Sequence, residues 1–152
     1  MPGDFPLALY NEIHSRITPL HAKQDDAFRH YGGAWNAIAF RYKAAAEADG
    51  AYRKSIAKPV DSLQRYTQEI NLFSFFTNAV AVLDSLSYGL HAIAASLDRD
   101  RFPLTASALR GIQPQGLARR LIERFPSDAI GHTLLAVSDE LRTTSYAKSV
   151  MP

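Results

Sequence analysis

A chain of 152 residues can bury a sizeable core and fits a single domain over residues 1–152. Apolar residues make up 47% and charged residues 21%, which excludes a disordered segment, and the lack of cysteine excludes disulfides, thiolate metal sites and cysteine nucleophiles together. The net charge is +2: nine basic and nine acidic residues balance up to residue 97, and residues 99–124 then hold six Arg against Asp100 and Glu123. That bias is milder than the loading of a dedicated nucleic-acid binder.

Residues 1–10 contain Asp4 and Pro6 and lack a basic region followed by an apolar run, so they do not read as a signal peptide. A cytoplasmic protein is expected. Asp4 is expected to cap a first helix that runs to about Ile17, with Pro6 in its first turn. Thr18-Pro19 ends it and opens a second helix. There Phe28, Tyr31, Trp35, Ile38 and Tyr42 alternate at three- and four-residue spacing, one core-facing stripe of a helix. Gly32-Gly33 predicts a bend or a close helix contact, since two adjacent glycines cost about 2 kcal/mol relative to alanine. The helix ends at Asp49-Gly50 or continues to Ile56, and Lys58-Pro59 is the firmer break.

The third helix, residues 60–97, is the clearest feature. Leu72, Phe76, Ala79, Leu83, Leu86, Leu90, Ile93 and Leu97 form one 3-4 stripe, widened by Phe75 and Val82. Ser74, Thr77, Ala81, Asp84, Tyr88 and His91 form another. Asp84 is the only formal charge between Asn71 and Leu97, whereas a helix exposed on one side normally shows Lys and Glu there. This helix is therefore expected to be covered on both faces, by another helix or another subunit. Ser74, Ala81, Ser85 and Ala92 would allow a close approach. The run 72–97 also carries Asn78, Asp84 and His91 with many Ser and Thr, so neither a membrane span nor a membrane partner is expected.

Arg101-Phe102-Pro103 opens a connection lasting to about Gln115, with one short turn at 106–110. A short helix follows at 116–124 and stops at Phe125-Pro126. Ser127 then caps a last helix with Ile130, Leu134, Val137 and Leu141 on one face, and the chain ends soon after Tyr146. The expected fold is all-α, an antiparallel up-and-down bundle of four to five helices around two long central ones.

Asp84 is the foremost candidate for chemistry, because a buried carboxylate must be paired, hydrogen-bonded or protonated. With Tyr88 and His91 it could line a ligand pocket beside the third helix. The bland alternative is a structural carboxylate held by Tyr88, a backbone amide or an arginine. Arg119, Arg120 and Arg124 form a small basic patch for a phosphate or an acidic partner, or else an ordinary solvated surface. Of the histidines His14, His21, His30, His91 and His132, His30 has a carboxylate, Asp26, at ligand spacing on its own helix. No metal site and no cofactor are expected.

The stretch FFTNAVAVLDSLSYGLHAIAASL (75–97), followed by Arg101-Phe102-Pro103-Leu104 and the late Phe125-Pro126, resembles the central helix of HEPN-like bacterial bundle proteins. The resemblance implies a helical bundle that often dimerises, and in many members a metal-independent ribonuclease of a toxin or defence system. The family's motif is an Arg, four to six residues of which the first is polar, then a His. Here Arg142 is followed by Thr143, Thr144, Ser145, Tyr146, Ala147 and Lys148, and Arg124 is separated from His132 by seven residues. The motif is absent, so the resemblance carries the bundle and dimerisation but no catalytic residue. The leading functional expectation is a non-catalytic interaction module that forms a homodimer. The alternatives are a HEPN-type RNA-binding or RNA-cleaving protein and a small-ligand binder. A partner is then a second copy, another protein or RNA.

Overall fold

The computed structural model describes residues 3–20, 25–57 and 61–143. His21, the Lys58-Pro59 break and residues 144–148 lie outside them. Among the described residues all regular structure is helical: α1 (Leu7–Ile17), a 3-10 turn (Thr18–Leu20), α2 (Asp25–Ile56), α3 (Ser62–Leu97), α4 (Ala106–Arg110), α5 (Pro114–Arg124) and α6 (Ala129–Thr143).

The long helices α2 and α3 pair antiparallel. Arg99 grips Asp26 at one end with two bonds of 2.6 and 2.7 Å, and the side chains of Gln64 and Gln68 donate to the Ser55 carbonyl at the other. At 1.5 Å per residue each helix is roughly 50 Å long. Small residues let them approach, as expected of Ala92, which is buried on α3; Ala45, Ala48 and Ser55 do the same on α2. A Cβ built on Gly89 would stand 3.6 Å from the Ala34 Cβ. Asp61 caps α3 by accepting from the Gln64 amide.

Two apolar clusters flank the C-terminal half of α3. Tyr31, Trp35 and Ala92 pack with Tyr10, Ile13, Ile17, Phe28 and Leu86, so the aromatic stripe of α2 is core, as its spacing implied. On the other side Ala94, Ala95, Phe102, Leu117, Leu121 and Leu134 close α5 and α6 onto α3, with Leu83 and Leu90 packed against them. The core therefore sits around residues 83–97. The rest of the α2–α3 hairpin extends beyond it as an arm.

Several local expectations are corrected. Gly32-Gly33 does not interrupt α2, which runs unbroken from Asp25 to Ile56, and marks no close helix contact among the described residues, since nothing lies within 4 Å of a Cβ at either position. Asp4 is not a cap: α1 starts after Pro6 without a side-chain cap, and Asp4 instead hydrogen-bonds Tyr42. Asp128, not Ser127, caps the start of α6, accepting from the Ile130 amide at 2.8 Å.

Candidate functional site

The expectation that α3 is covered on both faces holds for one half of it. Positions 63, 66, 70, 73, 77, 80, 84, 87, 91 and 94 follow an unbroken 3-4 spacing and form one continuous stripe, which winds about 20° per heptad around the helix. From Ser87 onward that face is sealed by the protein's own chain. Ser87 and His91 are fully buried, Ala94 is buried, and the loop after α3 lays Phe102 and Pro103 over His91. From Val80 back to Leu63 nothing among the described residues covers it. Leu63 is 72% exposed, Tyr66 61%, Ile70 47%, Phe73 73% and Val80 57%, and Thr77 between them is exposed as well.

This stripe of five large apolar side chains is the candidate site. The two stripes read from the sequence start only at Leu72 and Ser74, so most of this apolar run lies N-terminal to them, and it meets the polar stripe at Thr77 and Asp84. The 3-4 spacing of Leu63, Tyr66, Ile70 and Phe73 was the available signal. At about 200 Å² per fully exposed large side chain the five present about 600 Å² of apolar surface. That is the upper end of what a monomer's largest patch usually shows.

The expected pocket residues share a side of α3 but have different surroundings. Asp84 is exposed, a correction to its expected burial. Partial desolvation still raises its pKa, and the positive charge of Arg41 works against that. The Tyr88 hydroxyl and His30 Nδ1 share a hydrogen bond of 2.8 Å, and burial raises the tyrosine pKa. A crevice lies between Ile17, Phe28, Tyr31, Ala92 and Ile93, and none of these three residues lines it. At about 230 Å³ including its open mouth, it is smaller than most ligand pockets.

His91 is a structural group. A carbonyl oxygen can only accept, so Nε2 carries the proton and donates to Pro103 at 3.0 Å. Nδ1 is then bare, buried and without a partner. Burial lowers the pKa first of all; the Pro103 bond opposes this, and the charges of Arg120 and His30 add to the lowering. The sign of the pH effect follows. The unfolded chain takes up a proton near pH 6.5 and the folded chain only at a lower pH. Stability is thus fully present above pH 6.5 and lost as pH falls below it, at no more than about 1.4 kcal/mol per pH unit. Urea unfolding between pH 7.5 and 5.5 should show a falling midpoint, and His91→Asn should flatten the slope. An equal slope in both proteins would remove His91 as the cause.

The basic patch is divided by the fold. Arg124 bonds Asp98 at the end of α3 and lies over the Phe125 ring, and Arg120 lies over Phe102. Both help fix α5 to the loop, while Arg119 is exposed. Asp26 and His30, the pair at metal spacing, are engaged by Arg99 and Tyr88. The described residues contain no group of three or more possible metal ligands.

By length and composition alone α3 could cross a membrane. In this fold its C-terminal half is the centre of a packed core. No protein-family model matches the chain, and neither a curated protein nor a solved structure matches it.

Proposed function

We propose that this protein is a non-catalytic interaction module that self-associates through the outer face of the N-terminal half of α3. The observation that carries the reading is the change along one helix face, sealed by the protein's own loop from Ser87 and bare from Leu63 to Val80. Aromatic side chains at such exposure are what interface cores are enriched in. Covering the face in two copies would bury about 1,200 Å², the lower edge of specific interfaces, which points to micromolar affinity. Two hairpins side by side would form a four-helix bundle across the two copies.

The RNA-acting alternative keeps the resemblance of residues 75–97 as its support and gains no cluster of free arginines, since Arg120 and Arg124 serve α5. A ligand pocket at Asp84, Tyr88 and His91 gains no cavity, with Asp84 outside and His91 sealed in. Sedimentation equilibrium tests the main reading. Across about 1 to 200 µM, a range that brackets affinities at small interfaces, the mass should rise from monomer to dimer. A monomer mass throughout the range refutes it.

A further inference from the structure

We infer that the occupant of the bare face is a second copy lying antiparallel, with a two-fold axis beside Asn71 and Leu72. This rests on the self-association proposed above and specifies its geometry. A two-fold interface must be self-complementary, so each position on the patch has to meet another position on the same patch. The stripe meets that condition when reversed: Leu63 falls opposite Val80, Tyr66 opposite Thr77 and Ile70 opposite Phe73, and each pair of residue numbers has the same sum. All five exposed large apolar side chains of the stripe and Thr77 are used. Each layer also sets a larger side chain against a smaller or aliphatic one, the alternation that fills a helix seam.

A parallel pair would be worse in two respects. It would stack Phe73 on Phe73 and Tyr66 on Tyr66. It would also set Asp84 beside Asp84, and the exposed Arg53, Lys54 and Arg65 of one hairpin tip beside those of the other. Like charges in register disfavour association. In the antiparallel arrangement the two Asp84 residues lie far apart, and each, the next position of the stripe after Val80, arrives at the tip of the other copy's hairpin, where Lys54 and Arg65 are exposed beside Asp61. The overlap then stops where the core around residues 83–97 begins, so the two cores sit at opposite ends of the joint.

The cysteine-free sequence makes the register directly testable. Single variants Leu63→Cys, Ile70→Cys, Phe73→Cys and Val80→Cys alter exposed positions only. Under mild oxidation, equal mixtures of Ile70→Cys with Phe73→Cys, and of Leu63→Cys with Val80→Cys, should give linked dimers. Leu63→Cys alone should give none, because its two copies would lie about 25 Å apart, far beyond disulfide reach. Linked dimers from Leu63→Cys alone would overturn the antiparallel register and leave self-association standing. A wild-type protein that stays monomeric, together with no linked dimer from any mixture of the variants, would overturn both readings. Flotation of monomer with phosphatidylcholine vesicles would assign the face to lipid instead, and would equally overturn both.

Discussion

Phe73→Glu raises the dimer dissociation constant at least about 100-fold, or about 3 kcal/mol, and leaves the fold intact. Phe73 is the most exposed member of the stripe and stands next to its centre, where an interface excludes water best. In the monomer its ring is mostly in water, so glutamate there costs the fold little, and glutamate suits a helix slightly better than phenylalanine. In the dimer the new carboxylate would be buried opposite Ile70 of the other copy, one turn from Glu69 and with no cation to meet it. An unpaired buried charge is strongly unfavourable. Sedimentation should therefore find a monomer where the parent protein is a dimer, while the thermal midpoint of dilute protein is unchanged. A variant that dimerises as well as the parent would remove the stripe from the interface. One that unfolds would show that Phe73 serves the monomer's own core.

Gly131→Ala should destabilise the protein by about 2 kcal/mol, lowering the melting temperature by about 4–8 °C. In most helices the change would gain about 1 kcal/mol. Here α6 crosses α5 so closely that the added Cβ would stand 2.9 Å from Ile122 Cγ1, 3.0 Å from the Ile122 amide nitrogen and 3.2 Å from the Ala118 carbonyl oxygen. Two of those atoms are backbone, so relief requires α6 to move away. That would loosen Leu134 from Leu117 and Leu121 in the core. Gly33→Ala is the matched control. Gly33 is helical and exposed, and nothing lies within 4 Å of its would-be Cβ, so it should stabilise by about 1 kcal/mol. Calorimetry reads both, and a gain at Gly131 equal to the gain at Gly33 would mean that α5 and α6 are not in close contact.

The two glycine sites illustrate how far local patterns reach. Gly32-Gly33 predicts a bend or a close contact because each glycine lowers helix propensity, but α2 is held along its length by α3 and continues through both residues. Gly131 carries no local signal, since its importance comes from Ile122 on a different helix. The same limit explains Asp84. An almost uncharged helix face implies that something covers it, yet the covering groups are remote in sequence. Asp84 falls just short of the sealed half and is exposed, while His91, two turns further on the same face, is completely enclosed.

Helical spacing, cap residues and breakers are properties of neighbours in sequence. They were enough to establish an all-helical chain, its two long helices, the aromatic core stripe of α2 and the short turn at α4. Which faces are buried depends on where the chain returns. The loop at Phe102 and Pro103 folds back over one half of the α3 face and not over the other, and no periodicity within α3 encodes that. The long apolar helix was therefore legible from its residues alone. Its bare stripe from Leu63 to Val80, on which the proposed function rests, became visible only once the rest of the chain was in place around it.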